Sequence, residues 1–316
     1  MKKILLCCVI ILKIEAHAQI SGVLNSPVDS VEIDSAEMEV IAAVMREAVQ
    51  RLEQNSTEGH SLISARLKAL GAAKRDSQSD SISAMIKADL RKVLDADDAF
   101  NASFDDIPMS RVDAPDGKFR LFTWNVSHSN GTFLFEGFLL VKDKKRRVLY
   151  ELRDMTEKIP TPALPQLTPE NWYGALYYTV VPMKKGAKTY YTLLGWKGFT
   201  NVETRKVIEV LSFKGAVPAF GAPLFGEGRV KRMREVFGYS FQTTMSVKWD
   251  QPNMRIVLDH LGPMKPEFAG QAAFMGPDLS YDAYVWNRDH WEFQRDIDAR
   301  EDGKSKPWNK PPKEER

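Results

Sequence analysis

The stretch that decides the fold is GTFLFEGFLLVK, residues 131–142. Apolar side chains occupy both odd and even positions of its centre, so a β-strand here would present apolar groups on both faces of its sheet. KFRLFTWNV (residues 118–126) precedes it and RVLYELRD (residues 147–154) follows it, and both are short, aromatic or β-branched segments bounded by turn residues. The sequence therefore predicts a strand covered on both sides, within a run of consecutive strands.

Short aromatic or β-branched segments of the same kind continue to about residue 298, with no helical pattern between them. Strands that follow one another directly predict an antiparallel meander, arranged as a sandwich, a barrel or a partial propeller. Two long breaks interrupt it: a proline-rich segment at 158–169, expected to run extended over the surface, and a Gly/Pro-rich segment at 215–229, expected to be a packed loop or a lid. Hairpins are predicted for three pairs of segments: 188–198 with 204–215, 245–249 with 254–258, and 281–286 with 291–296.

Before residue 110 the apolar spacing changes to three and four, which is typical of amphipathic helices. It predicts about three short helices, at residues 35–54, 61–73 and 79–94. The predicted fold class is thus α+β: a helical N-terminal segment at 19–110, followed by a mainly antiparallel β domain at 111–300. The charged, proline-rich residues 301–316 are predicted to be a disordered tail.

The first eighteen residues have the pattern of a secretory signal peptide. Two lysines precede a short apolar run, and Ala16-His17-Ala18 forms an A-x-A cleavage site. The run is too short to span a bilayer, which takes roughly 20 residues. We therefore expect an exported protein, located in the periplasm, at the outer membrane or outside the cell, with no transmembrane span after cleavage. Both cysteines, Cys7 and Cys8, lie inside this signal. The mature chain would therefore be free of cysteine, which excludes disulfides and cysteine-based catalysis.

The charge is divided along the chain. Residues 19–110 carry 9 basic and 16 acidic side chains, and residues 111–316 carry 32 basic and 25 acidic ones. This division predicts either docking of the acidic segment on the basic body or two ordinary solvated surfaces. Nucleic acid is not expected as a partner after export.

Familiar catalytic motifs are missing from the sequence. It contains no G-x-S-x-G elbow, no H-E-x-x-H zinc motif and no Walker or Rossmann glycine loop. The missing motifs do not exclude a glycosidase, because its two catalytic carboxylates, about 5 to 10 Å apart in space, leave no signature in a sequence.

The candidate polar site lies near the C-terminus. Asp259 and His260 follow an apolar run, and Asp278, Ser280 and Asp282 stand at alternate positions. Asp259 and His260 are the catalytic candidates, although neighbours on a strand point to opposite faces and each would need a partner from elsewhere. The three alternate residues could share one face and bind a hard cation such as calcium. The competing interpretation is a turn capped by Asp278, with no cofactor.

Tryptophans recur on the predicted strands. Trp172, Trp196 and Trp286 are candidates for a ligand surface, since exposed aromatic rings stack on sugar faces. The alternative is that they fill the core, which is the commoner fate of aromatic residues on strands.

Several short sequence segments occur together, in an order that resembles that of a known family. They include SFDDI from Ser103, WYGALYY from Trp172, YTLLGWKG from Tyr191, FGAPLF from Phe220 and VLDHLGP from Val257. In this order they resemble an uncharacterised family of exported proteins from Bacteroidota-type bacteria. The resemblance covers most of the chain after the signal, and it implies an envelope or periplasmic protein of unknown activity. It implies no catalytic or binding residues.

Two functions follow from these patterns. The first is a non-enzymatic binding or structural component of the cell envelope, whose partner would be an envelope glycan or another envelope protein. The alternative is a hydrolase of glycans or peptides that uses the carboxylates around Asp259, His260, Asp278 and Asp282, with or without a bound divalent cation.

Overall fold

A computed structural model of the chain describes residues 58–144, 146–226 and 230–298. The predicted signal peptide at 1–18, the predicted helix at 35–54 and the predicted tail at 301–316 lie outside these residues. The described part contains two α-helices and thirteen β-strands. The expectation of about three helices is therefore corrected to two for the part of the chain that is described.

The two helices confirm the second and third predicted ones. The described part of α1 covers residues 58–72, and α2 is Asp76–Leu94. Ile63 of α1 and Ile82, Ile86 and Leu90 of α2 are buried, as their spacing of three and four predicts. Arg91 and Lys92 lie in the last turn of α2, where positive charge favours the helix dipole.

The strands form three antiparallel sheets in chain order. Sheet 1 has the order β1-β2-β3-β4, sheet 2 has β5-β6-β7-β8 with β9 also on β7, and sheet 3 has β10-β11-β12-β13. The described strands form neither a clear barrel nor a clear propeller. Their bounds are Ser110–Asp113 (β1), Phe119–Ser127 (β2), Phe133–Asp143 (β3), Arg146–Arg153 (β4), Leu176–Lys185 (β5), Lys188–Gly198 (β6), Glu203–Lys214 (β7), Val217–Phe220 (β8), Glu235–Ser240 (β9), Val247–Asp250 (β10), Arg255–Pro263 (β11), Met275–Asn287 (β12) and His290–Gln294 (β13). Short 3₁₀ turns lie at Thr156–Lys158, Pro169–Asn171, Pro266–Phe268 and Ala272–Phe274.

Three cores hold these elements together in layers. The helices pack on one face of sheet 1, the other face of sheet 1 packs on sheet 2, and sheet 2 packs on sheet 3. Strand β3 is covered on both sides, because Leu139 faces sheet 2 while Phe138 and Leu140 face the helices. This confirms the prediction made from the opening stretch. Full burial of side chains of this size contributes roughly 1.5–3 kcal/mol each.

The three predicted hairpins are present as β6–β7, β10–β11 and β12–β13. The predicted loop at 215–229 is corrected in part, because Val217–Phe220 forms strand β8 on β7. Gly215, with a φ of +64°, makes the tight turn that brings the chain back to β7. Beyond β8, Leu224 and Phe225 are buried in the core between sheets 2 and 3.

Candidate functional site

The predicted polar residues near the C-terminus lie at a bulge between β11 and β12. Asp259 pairs with Tyr281 and Leu261 pairs with Pro277, so His260 faces the three residues 278–280. An irregularity of this kind bends the strand and redirects its side chains. Leu279, at the centre of the bulge, has a φ of +73° and is 92% exposed.

The bulge brings His260 between two carboxylates. Nδ1 of His260 lies 2.8 Å from Oδ2 of the buried Asp282, and Nε2 lies 3.9 Å from Oδ2 of Asp278. The second oxygen of Asp282 accepts a hydrogen bond from the backbone N–H of Asp296 at 3.1 Å. A buried acid that fixes one nitrogen of an imidazole and leaves the other toward solvent is a common way to orient a general base.

The remaining predicted residues are bonded locally. Asp259 accepts a hydrogen bond from the backbone N–H of Ser246 at 2.7 Å and does not join the imidazole. Asp278 accepts from the backbone N–H and the hydroxyl of Ser280, at 3.1 and 2.7 Å. These hydrogen bonds, with His260 nearby, hold the pKa of Asp278 below its ordinary value. Among the residues described, no group of three or more His, Cys, Asp or Glu side chains is arranged to hold a metal ion.

The three candidate tryptophans occupy different places. Trp172 is 0% exposed in the core between sheets 1 and 2, and its Nε1 donates to the Tyr177 hydroxyl at 3.1 Å. Trp196 is partly buried against the same core, and Trp286 is partly buried against the core between sheets 2 and 3. The structure therefore does not bring these three rings together on one surface.

The interface between sheets 1 and 2 contains ionic groups that the sequence analysis did not select. Lys197 on β6 is 1% exposed and lies 3.8 Å from the Asp154 carboxylate, itself 4% exposed in its side chain. Nζ of Lys197 also donates to the backbone carbonyls of Tyr173 and Gly174, at 2.8 and 2.9 Å. Burial lowers the pKa of Lys197 to about 8, although Asp154 acts in the opposite direction.

A second buried pair lies further along the same interface. Arg234 and Glu209 both have fully buried side chains, and Nε of Arg234 donates to the two carboxylate oxygens at 2.9 and 3.0 Å. The guanidinium also donates to the carbonyls of Pro162, Pro165 and Phe220. This arginine therefore holds the proline-rich segment against β8 and β7.

An open groove runs along one side of α2. It has a volume of about 620 Å³ and lies between α2, the start of β3 and His128. Its apolar part is formed by Ala84, Ala88 and Leu134, and its polar part includes Asp80, Lys87 and Glu136. We call this surface the α2 groove.

One end of the α2 groove is a network of opposite charges. Nζ of Lys87 lies 2.5 Å from Glu136 and 3.4 Å from Glu151, and Arg91 also pairs with Glu151. The two carboxylates thus share one ammonium group. Burial raises the pKa of Glu136, whereas for Glu151 partial burial is outweighed by Lys87 and Arg91, and its pKa is lowered.

Sequence patterns carry only weak signals for these sites. Glu209 interrupts the apolar run VIEVL and Lys197 follows LLGW, and a charge inside such a run is a sign that it is buried with a partner. The residues of the α2 groove come from a helix and a strand about fifty positions apart, and no spacing along the chain connects them.

Comparisons of the chain with protein-family models, with curated proteins and with solved structures give no match. The resemblance to an exported Bacteroidota-type family therefore stays a prediction. Within the described residues, no helix is long and apolar enough to cross a bilayer.

Proposed function

We propose that the protein is an exported component of the cell envelope that binds a glycan in the α2 groove without transforming it. The observation that carries the proposal is the groove itself, an open cavity of about 620 Å³ that places apolar and hydrogen-bonding side chains side by side. Ligand sites are typically concave, with an apolar lining and a few polar groups that fix orientation. The N-terminal signal pattern supports export.

The chemistry of the groove suits a sugar. Ala84, Ala88 and Leu134 offer an apolar strip for the carbon face of a ring, and Lys87, His128 and Asp80 offer donors and acceptors for its hydroxyls. The charges of Lys87 and Arg91 are balanced by Glu136 and Glu151. A neutral, hydroxyl-rich ligand can therefore bind without leaving an unpaired charge behind.

The test is a glycan array probed with the purified full chain and with two tryptophan variants of α2. Ala84→Trp fills the groove, whereas Met85→Trp places the same ring at an exposed position outside the groove lining. We expect the wild type and Met85→Trp to bind the same glycan, and Ala84→Trp to bind it at least about tenfold more weakly, a loss of about 1.4 kcal/mol. If Ala84→Trp binds as well as Met85→Trp, or if the wild type binds only other envelope proteins, the proposal is wrong.

A second function, hydrolysis of glycans or peptides, is favoured by one observation, the contact between His260 and the buried Asp282. In that function His260 would act as the general base, with Nε2 toward the substrate. The measurement is release of reducing sugar or amine from envelope extracts by the wild type and by His260→Gln. Equal release by the two proteins would exclude a role for this imidazole.

A further inference from the structure

Lys197 and Asp154 are placed in a way that the proposed function does not use. Asp154 follows the last residue of β4 in sheet 1, and Lys197 lies near the end of β6 in sheet 2. Their side chains meet between the two sheets, with Nζ 3.8 Å from Oδ2. The pair is the most deeply buried lysine–carboxylate contact in the described part of the chain.

The surroundings of this pair are closed to solvent. Nζ of Lys197 lies 4.3 Å from the centre of the Phe135 ring and 4.8 Å from that of Tyr173. Gly174 covers the carboxyl group from another side, with a φ of +72°. A Cβ atom at Gly174 would lie 2.7 Å from the Asp154 carboxyl, so only glycine permits this close approach. A bond formed here would be protected from hydrolysis because water is excluded.

The environment of the Lys197 amine and of the Asp154 carboxyl favours a reaction between the two groups. Desolvation lowers the pKa of Lys197 to about 8, which makes the neutral, nucleophilic amine easier to reach. The Asp154 carboxyl accepts hydrogen bonds from the backbone N–H groups of Phe135 and Thr156, at 3.1 and 3.0 Å, and from the Thr156 hydroxyl. Such donors stabilise the oxyanion that forms when a nucleophile adds to a carboxyl carbon.

We propose that Lys197 and Asp154 condense to an intramolecular isopeptide bond that joins sheet 1 to sheet 2. The ammonium group gives a proton to the carboxylate, and the neutral amine adds to Cγ of Asp154. A C–N bond forms, a C–O bond breaks, and the oxygen leaves with two protons as water. The charge of the pair is zero before and after the step. No oxidant, metal or cofactor is needed.

The experiment is mass spectrometry of the purified full chain, with its N-terminus fixed by peptide mapping. We expect the wild type to be lighter than its calculated mass by one water, about 18 Da. Protease digestion should then give a branched peptide that contains residues 154 and 197. Lys197→Arg keeps the positive charge but should have its full calculated mass. Lys206→Arg changes a side chain that lies over Tyr178 on the opposite face of sheet 2, and it should show the same water loss as the wild type.

Two results would overturn the proposal. One is the full calculated mass for the folded wild type after prolonged incubation near pH 8. The other is a water loss that maps elsewhere, for example to a succinimide at Asp116-Gly117. The measurement is made on the wild-type chain, so it does not depend on whether any variant folds.

Discussion

Replacing Arg234 by methionine tests whether a buried ion pair holds sheet 2 and the proline-rich segment in place. Arg234 is fully buried, and it neutralises Glu209 while donating to three backbone carbonyls. Arg234→Met keeps a long apolar stem but removes the charge and every donor. Glu209 is then left as a buried acid without its partner, in an environment that already raises its pKa by burial.

The expected loss of stability is large. Breaking a buried pair by removing one partner costs about 3–5 kcal/mol. Native proteins have free energies of unfolding of about 5–15 kcal/mol, so this is a large part of the total. At roughly 2–4 °C for each kcal/mol in a chain of this size, the unfolding midpoint should fall by about 10 °C. The assay is thermal and urea unfolding, followed by tryptophan fluorescence and circular dichroism.

The double variant Arg234→Met/Glu209→Leu separates the charge from the packing. An apolar pair of similar volume often replaces a buried ion pair at little cost. We therefore expect the double variant to recover part of the loss, and the rest to reflect the carbonyls of the proline-rich segment that have lost their donor. The matched control is Lys185→Met, which breaks an exposed pair with Asp289 and should leave the midpoint unchanged. A cost below about 1 kcal/mol for Arg234→Met, or a double variant no more stable than the single one, would refute this reasoning.

Two further predictions concern the core and the α2 groove. Trp172→Ala removes a ring that is 0% exposed, and it should lower the free energy of unfolding in chemical denaturation by about 3–5 kcal/mol. Trp286→Ala removes a partly buried ring and should cost less than half as much. Equal losses would contradict the assignment of Trp172 to the core. Burial raises the pKa of Glu136 in the folded protein above its ordinary value of 4.5. The stability that this side chain contributes is therefore fully present below pH 4.5 and is lost as the pH rises through its pKa in the folded protein. Glu136→Gln cannot ionise, so its unfolding midpoint should rise relative to the wild type as the pH is raised above the ordinary value of 4.5. A rise of the wild-type midpoint relative to that of the variant would show that the pair with Lys87 dominates instead.

The sequence predicts most of the sheet architecture because the signals are local. Strand β3 has apolar residues at both odd and even positions, so both of its faces must be buried. The spacing of the strands predicts the hairpins without knowledge of any distant contact. Strand β8 is different, because Val217–Phe220 lies in a Gly/Pro-rich stretch and becomes a strand only through its pairing with β7. Its register is a tertiary property, so the turn residues around it predict a loop.

The polar sites show the same division between local and tertiary information. A regular strand would place Asp278 and Asp282 on one face, but the bulge at residues 278–280 decides which acid meets His260. That bulge depends on the register of β11 against β12, which no spacing along β12 contains. The sequence gives no signal for Arg234, because it belongs to the basic run RVKRMR, and an arginine in such a run is ordinarily a solvated residue.

The buried ions explain how such different layers can meet at one interface. Sheet 1 and sheet 2 contribute large apolar side chains. Segments 158–169 and 172–174 cross the ends of the interface, and the carbonyls of Pro162, Pro165, Tyr173 and Gly174 accept hydrogen bonds from buried cationic side chains. Arg234 and, before the condensation proposed above, Lys197 donate to these carbonyls, and Glu209 and Asp154 neutralise the donors. An uncharged donor with one N–H could not satisfy three carbonyls at once, whereas a guanidinium has five N–H groups. The charges are therefore a consequence of bringing irregular backbone into a core, and removing them should loosen the crossing segments before it separates the sheets.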